Sequence, residues 1–571
     1  MRFLFPLAAL AAFAQTDLRP VFVYSGPTSG ETAGRAERDG DTWLLTTLAI
    51  PPNAPAATEW AMRIRARIQA PAQRGDLVLA TFNIRCLAPE ECATRFNVEQ
   101  AVAPYTKSYA QPVLSTAQWR AVKIAFRMAE AYQGNDYFVD FWMGQQVQTV
   151  EVSNITLVNY GLAATPADVG VDPYYEGAAD DAEWRKAAFE RIDKIRKGDL
   201  TINVRDESGK PIEDATVEVR MKRHAFGWGT AVAADQLLGT NADSQRYREA
   251  ILANFNMVVF ENDLKWPQWE QNRQRPLDGI RWLKQNGISR IRGHNLVWPG
   301  WQYLPTNVRT LENNTEALRA RVRDHILEVT RATAGELEDW DVLNEPYTNR
   351  DLQRILGDEE MSVWFRFAQG GDPAAKLFIN DYNILSAGGG DLAHRNHYYQ
   401  TIAYLDSLGT PVDGIGMQGH FGIPTAPEQM LRILDRFAVF NKPIEITEFD
   451  FDTADEELQA RFTRDLLITF FSHPSAKAFL MWGFWEARHW RPRCAMIRRD
   501  WSTKPNFDVW REMVYKEWWT NADLKSSKDG AAAVRGFHGD YEVTVRAGDR
   551  SKTVTARLGA EGVIIDITIT Q

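Results

Sequence analysis

The spacing of apolar residues changes character several times along the chain. From Leu18 to about Gly161 the runs are short and strand-like. Trp119, Val122, Ile124 and Phe126 form one of them, and residues 137–142 and 149–158 alternate apolar with polar positions, the period of a half-buried strand. Turn-forming stretches, residues 26–30 and the proline- and alanine-rich 51–57, separate the runs. The pattern predicts an all-β sandwich over residues 17–162. Residues 163–177, with Pro, Gly and Asp, read as a linker. Trp184, Ala188, Phe189, Ile192 and Ile195 then recur at helical spacing and predict an amphipathic helix over 180–197.

Leu200, Ile202 and Val204, then Val217, Val219 and Met221, alternate on either side of Glu207-Ser208-Gly209-Lys210, which predicts a β-hairpin over 199–222. Beyond it, short apolar runs alternate with helical stretches, the signature of a parallel α/β fold. The runs are 226–231, 257–260, 290–294, 340–343, 377–380, 414–418, 444–447 and 478–482; helical candidates between them include 247–254, 316–333, 427–440 and 456–471. Eight strand–helix units predict a (β/α)8 TIM barrel, with the hairpin at its start, over 198–520. Residues 540–545 and 552–558 flank Ala547-Gly548-Asp549, and 563–570 alternate again. The expected fold class is therefore α/β: a TIM barrel flanked by an N-terminal β-sandwich and a small C-terminal all-β module over 521–571.

Composition narrows the function. With 571 residues the chain exceeds the ~250–300 at which single cores stop growing. Its 44% hydrophobic and 25% charged content excludes a mainly disordered chain. A net charge of -10 argues against a nucleic-acid partner. Residues 1–14 read as a signal peptide: Arg2, an apolar run, then Ala12-Phe13-Ala14 before Gln15. The run falls short of the ~20 residues that span a bilayer, and no later segment is apolar enough, so the expectation is a secreted protein, extracellular or periplasmic, with no membrane partner. Cys86 and Cys92 are either a disulfide or two separate thiols, with Cys494 left over. No Cys/His spacing resembles a zinc site, and with neither a nucleotide-binding loop nor a calcium loop in the sequence no metal or cofactor is expected. A monomer is expected.

Active sites of such barrels form at the C-terminal ends of the strands, and here those ends are loaded. The second run ends in Glu261-Asn262, with Lys265 beyond; the third in His294, with Trp298 soon after; the fourth in Asn344-Glu345; the sixth in Gln418-Gly419-His420; the seventh in Glu448 and Asp450; the eighth in Trp482, with Trp490 following. The chemistry suggested is glycoside hydrolysis, which needs one carboxylic acid to protonate the leaving oxygen and one carboxylate to attack or to activate water. Glu345 and Glu448 fit those roles across the barrel mouth. Asn344 suits a sugar 2-hydroxyl, and His420 and Asp450 suit tuning of Glu448. Trp482 and Trp490 offer an apolar wall for a pyranose or, equally, core packing. Arg488, Arg491, Arg493, Arg498 and Arg499 crowd the loop beside Trp490 and either form salt bridges or meet a uronic-acid branch.

Six segments carry a resemblance: Phe226-Gly227-Trp228-Gly229-Thr230-Ala231-Val232, Glu261-Asn262-Asp263-Leu264-Lys265-Trp266, Gly293-His294-Asn295-Leu296-Val297-Trp298, Trp340-Asp341-Val342-Leu343-Asn344-Glu345, Asn380-Asp381-Tyr382-Asn383 and Ile446-Thr447-Glu448-Phe449-Asp450. Together they resemble family 10 of the glycoside hydrolases, the retaining endo-1,4-β-xylanases. The resemblance implies Glu345 as acid/base and Glu448 as nucleophile, supported by Asn344, His420 and Asp450. It also implies substrate binding by Glu261, Asn262, Lys265, His294, Trp298, Gln418, Trp482 and Trp490, with Tyr382 and Asn383 nearer the leaving-group side. Pro299, Gly419, Phe449 and the stretch Phe484-Trp485-Glu486-Ala487-Arg488-His489 depart from the common pattern and resemble a modular subgroup of plants and some bacteria. The N-terminal region resembles a carbohydrate-binding module, in which Trp43, Trp60, Tyr132, Tyr137 and Trp142 are either sugar contacts or core. The expected protein is thus a secreted endo-1,4-β-xylanase acting on xylan or a related plant polysaccharide. Two other readings remain: the same retaining mechanism on another β-1,4-glycan or an aryl β-xyloside, and a non-catalytic polysaccharide-binding pseudoenzyme.

Overall fold

The computed structural model describes residues 15–51, 58–172 and 174–570. The expected signal peptide at 1–14, and nearly all of the turn at 51–57, lie outside them. The chain divides into two compact units, one built on residues up to Ala179 together with Ala387–Asn396, the other on Asp180–Ser386 and the remainder from His397.

The first unit is the expected sandwich. One antiparallel sheet contains Ala33–Asp39, Thr42–Ala49, Gln148–Asn159, Leu77–Ala88 and Arg120–Arg127 in that order, with Thr16–Asp17 added beside Gln148–Asn159. The other orders Val23–Ser25, Arg63–Ile68, Tyr137–Trp142, Cys92–Gln100 and Lys107–Ser115. Leu45, Phe82, Phe96, Phe141 and Val152 meet in one core between them. Cys86 and Cys92 form a disulfide with Cα atoms 5.4 Å apart, inside the usual range; Cys494 is free and buried. Tyr132, Tyr137 and Trp142 are buried, which removes them as exposed sugar platforms; Trp43 is half-buried against the core and Trp60 is exposed. The alternation that exposed these strands cannot tell an aromatic facing the opposite sheet from one facing a ligand.

The second unit opens with the helix Glu183–Arg196 and contains the barrel. Its strands are β1 (Gly227–Val232), β2 (Met257–Phe260), β3 (Arg290–Val297), β4 (Asp339–Asn344), β5 (Lys376–Asp381), β6 (Gly414–Met417), β7 (Ile444–Phe451) and β8 (Ala476–Met481). Each pairs in parallel with the next, and β8 pairs with β1 to close the ring. These are the runs read from the sequence, with shifted ends. They read as continuous apolar text because helices cover their outer face while side chains fill the interior. The helices start where capping chemistry says they should: Asn314 accepts from Ala317 N–H before Thr315–Ala332, and Asp455 caps Glu456–Phe471. At Gly293 a Cβ would sit 2.3 Å from the Trp340 indole, so only glycine lets β3 and β4 pass this closely there.

The expected hairpin over 199–222 forms only at its tip, where Arg205 and Pro211 make an antiparallel bridge. The turn exists, with Asp206 accepting from Ser208 and Lys210 and Gly209 at φ 83°. The strands on either side of it part company, however. Lys197–Asp206 lies between Ala531–Phe537 and Val563–Ile569 in a three-stranded sheet. Thr216–His224 lies between Asn521–Lys525 and Gly539–Ala547 in a second sheet, which Arg550–Leu558 completes. Nor do residues 521–571 form a module alone; they share a composite sandwich with the segment preceding the barrel. Alternation was a true record of one buried face: Leu200, Ile202, Val204, Val217, Val219 and Met221 are all buried. It carries no information about which strand supplies the partner.

The composite sandwich makes a prediction. Ile202→Ala should cost about 2–5 kcal/mol by leaving a cavity between the sheets, and Ile567→Ala, near the far end of the chain, should lower the same unfolding transition in urea. A separate early transition in Ile567→Ala would mean that the C-terminal strands fold on their own.

Candidate active site

The site is built on a polar layer inside the barrel. Arg292 on β3, Asp339 and Asp341 on β4, and Glu445 on β7 are charged residues of the barrel strands, and all are buried. The Arg292 guanidinium donates to both carboxylate oxygens of Asp341, lies 2.7 Å from Glu445 and 3.2 Å from Asp339, and stacks 4.5 Å from the centre of the Phe378 ring. Burial alone would raise all three carboxyls. Contact with Arg292 and His294 reverses this for Asp341, which is held below the usual range, whereas Asp339 and Glu445 are left raised.

One layer nearer the mouth, Asp341 holds His294 through Nδ1 at 2.9 Å, and the same nitrogen is 3.8 Å from Glu448 Oε1. Asn380 on β5 donates to Glu448 Oε1 at 2.8 Å and to Asn344 Oδ1 at 3.0 Å, while Thr447 donates to Asn380 Oδ1 at 2.7 Å. His420 Nε2 is 3.2 Å from Glu448 Oε2, and its Nδ1 is 3.0 Å from Asp450. Burial opposes the charge on His420, but the two carboxylates outweigh it and lift the imidazole to about 9. At neutral pH it is an imidazolium with a carboxylate on each side. Burial likewise works to raise Glu448, and the charges of His294 and His420 overcome it, holding Glu448 below the ordinary carboxylate range.

Glu345 follows β4 at φ 53° and is treated oppositely. Its Oε1 accepts from Gln418 at 2.9 Å, and its Oε2 from Trp298 at 3.2 Å and from Asn349 at 3.1 Å. Burial nevertheless pushes it up to about 7, with the negative charges of Asp381 and Glu448 adding to the rise and the Gln418 and Trp298 hydrogen bonds only partly offsetting it. The barrel mouth therefore holds one carboxyl that keeps its proton near neutrality and one that gives it up readily.

The remaining expected residues gather around this pair. Lys265 donates to Asn262 Oδ1 at 3.0 Å and sits 5.3 Å from the Trp298 ring and 5.9 Å from that of Trp482. Trp298 stacks on Tyr303 with ring centres 3.4 Å apart. Trp482 is buried edge-on to His294. Trp490 is 48% exposed, yet its indole N–H is tied to Asp450 at 2.7 Å. Glu261, Asn262 and Trp490 line a cavity of about 440 Å³ beside Arg488. Tyr382 and Asn383 follow β5, where the Tyr382 hydroxyl lies 3.3 Å from Thr348 on the loop after Glu345. Four of the five crowded arginines form ion pairs: Arg488 with Asp235, Arg491 with Asp450, Arg493 with Asp452 and Arg498 with Glu456.

Sequence reasoning missed Arg292, Asp341 and Asn380 as working parts, and Asn349 altogether. The first three shared one signal, a polar residue inside an apolar barrel strand, which must find a buried partner. Asn349 had none, because it lies in a loop.

Residues 218–512, just over half of the chain, match the model of glycosyl hydrolase family 10. The chain belongs to that family. It is 29% identical over 370 residues to endo-1,4-beta-xylanase 1 of Arabidopsis thaliana, covering 64% of this chain and 38% of that protein. It is 36% identical over 380 residues to anti-sigma-I factor RsgI6 of Acetivibrio thermocellus, covering 65% and 48%. The match thus spans half or less of these relatives. Among solved structures, xylanase 10B from Thermotoga petrophila RKU-1 in complex with xylobiose is 26% identical, covers 51% of this chain and 95% of its own, and superposes with a TM-score of 0.47.

The two carboxyls of this family 10 site should respond to their neighbours with opposite signs. In a ¹³C-carboxyl NMR titration Glu345 should titrate near 7. Gln418→Ala removes a donor that favours the charged form and should raise that value; Glu448→Gln removes a negative charge and should lower it. A Glu345 that titrates in the ordinary range, or ignores both changes, would refute this electrostatic account.

Proposed function

We propose that this protein is an exported, retaining endo-1,4-β-xylanase that cleaves internal β-1,4 bonds of xylan by double displacement. The observation that carries the reading is the pair of carboxyls in opposite protonation states at the barrel mouth. The family and its xylanase members supply the substrate class. The signal-like residues 1–14 and the Cys86–Cys92 disulfide fit an oxidising compartment outside the cytosol.

In the first step Glu345 gives its proton to the glycosidic oxygen as the bond from that oxygen to the anomeric carbon breaks. A Glu448 oxygen forms the new bond to the same carbon. In the second step Glu345, now ionised, takes a proton from water; the water oxygen bonds to the anomeric carbon and Glu448 leaves as a carboxylate. His420 and Asn380 hold Glu448 ionised and aimed. Asn344 Nδ2 is buried without a partner among the described residues and suits a substrate 2-hydroxyl, an interaction that strengthens in the transition state.

The proposal has distinct consequences for each carboxyl. Glu448→Ala should abolish release of reducing ends from xylan. Glu345→Ala should also lose xylan cleavage, yet it should release the phenol of an aryl β-xyloside in a burst and then stall. Azide, which needs no base, should restart it and give a β-xylosyl azide of retained configuration. If azide instead rescues Glu448→Ala with retention, the roles are exchanged. In the unaltered protein kcat/KM should fall as pH rises through about 7, where Glu345 loses its proton. It should fall again on acidification, below the ordinary carboxylate range, where Glu448 gains one. Activity on another β-1,4-glycan with none on xylan would favour the alternative substrate. Binding of xylan without cleavage would favour the pseudoenzyme.

A further inference from the structure

The donors that hold Glu345 are shared unevenly between its two oxygens. Among the described residues Oε1 accepts only from Gln418 Nε2, at 2.9 Å. Oε2 accepts twice, from the Trp298 indole N–H at 3.2 Å and from Asn349 Nδ2 at 3.1 Å. The two oxygens are also tied to different parts of the mouth. Gln418 follows β6, and its carbonyl accepts from the Glu448 N–H at 2.8 Å, so Oε1 is held by a residue bonded directly to the other carboxyl's strand. Trp298 and Asn349 stand in the loops after β3 and β4 and hold Oε2 from there.

Neither donor on Oε2 can exchange its role. An indole N–H only donates. The Asn349 amide is buried, and its nitrogen also lies 3.4 Å from the Glu345 backbone carbonyl, which only accepts. Its Oδ1 accepts in turn from Gln302 Nε2 at 2.9 Å. Turned end for end, the amide would set oxygen against the Glu345 carbonyl and nitrogen against the Gln302 nitrogen. Gly300 makes room for this arrangement: a Cβ there would come 2.5 Å from Asn349 Oδ1 and 3.1 Å from the Gln302 amide. The two oxygens of an ionised carboxyl offer about four lone-pair sites between them. On Oε2 both are engaged, so a proton placed there would strand a donor, which is costly. On Oε1 one is open.

We propose that Asn349, steadied by Gln302, is a positioning residue that keeps Oε2 of Glu345 an acceptor, so that the proton Glu345 transfers is carried on Oε1. This deepens the acid/base role proposed above and rests on it. In the first step the proton leaves Oε1 for the glycosidic oxygen. In the second, Oε1 takes one from water. Oε2 keeps both its donors throughout, and the carboxyl need not rotate between the steps.

Two measurements on the full chain test this. Neutron diffraction from crystals in D2O, at a pD well below the value of about 7 at which Glu345 titrates, should show a deuteron on Oε1 and none on Oε2. In a ¹³C-carboxyl titration Asn349→Leu, which fills the space but donates nothing, removes a donor that favours the charged form. It should raise the Glu345 value by about one pH unit, and the alkaline limb of kcat/KM on xylan should move up with it. Gln302→Ala, at an exposed side chain, should raise it by less. A deuteron on Oε2 overturns the proposal, as does a Glu345 value unmoved in Asn349→Leu. The neutron result needs no variant and decides the matter should Asn349→Leu fail to fold. A protein that does not cleave xylan would defeat the functional reading, while both carboxyl measurements would still decide this one.

Discussion

A guanidinium with no access to water sits inside this barrel, and the arrangement of the barrel mouth depends on it. Taking a charge out of water costs several kcal/mol per ion, which only close and well-hydrogen-bonded counter-charges offset. Arg292 meets that demand with Asp341, and Asp341, fixed from below, orients His294 beneath Glu448. The layer also dictates small residues nearby: a Cβ at Gly416 would come 2.5 Å from Asn380 Oδ1 and 3.2 Å from the Arg292 guanidinium. Three carboxyls around one cation are more than it can keep ionised, which is why Asp339 and Glu445 remain raised while Asp341 is lowered.

The same logic continues upward with the sign alternating. Imidazoles surround Glu448, and its carboxylate persists in spite of burial. Around Glu345 are an amide, an indole and other carboxylates, so burial prevails and the proton stays. Neither glutamate differs chemically from the other. Their opposite protonation comes from which strand ends adjoin them.

Much of this was legible in the sequence, and the legible part has a physical reason. A closed parallel barrel needs eight buried runs and gathers chemistry at one end of each, so β1 to β8 and the residues after them stand out even in a single chain. Glu345, Glu448, His420 and Asp450 were found this way. What escaped was anything decided by pairing rather than by pattern. Residues 200–204 and 217–221 announced a buried face but not the distant strands that cover it. Tyr132, Tyr137 and Trp142 announced aromatic surface but not the side of the sheet to which it turns. Arg292 and Asn380 lay in plain sight as polar residues in apolar runs; their roles appear only when Asp341, Glu445 and Glu448 close on them from other strands.

The composite sandwich also sets a timetable for biosynthesis. Asp199 and Arg535 pair in one sheet although 336 residues separate them. At ~5–20 residues per second, the first strands leave the ribosome on the order of 20–70 s before their partners exist. Through that interval the apolar faces of Leu200, Ile202, Val217 and Val219 have nothing of their own chain to cover them, while the barrel is synthesised and folds behind them. The strands from Asn521 to Ile569 thus seal, once the barrel has been made, a surface laid down before it. A chain stalled late in translation would leave the ribosome with most of its barrel made and an adhesive, unpaired half-sandwich beside it, a substrate suited to holdase chaperones and to proteases.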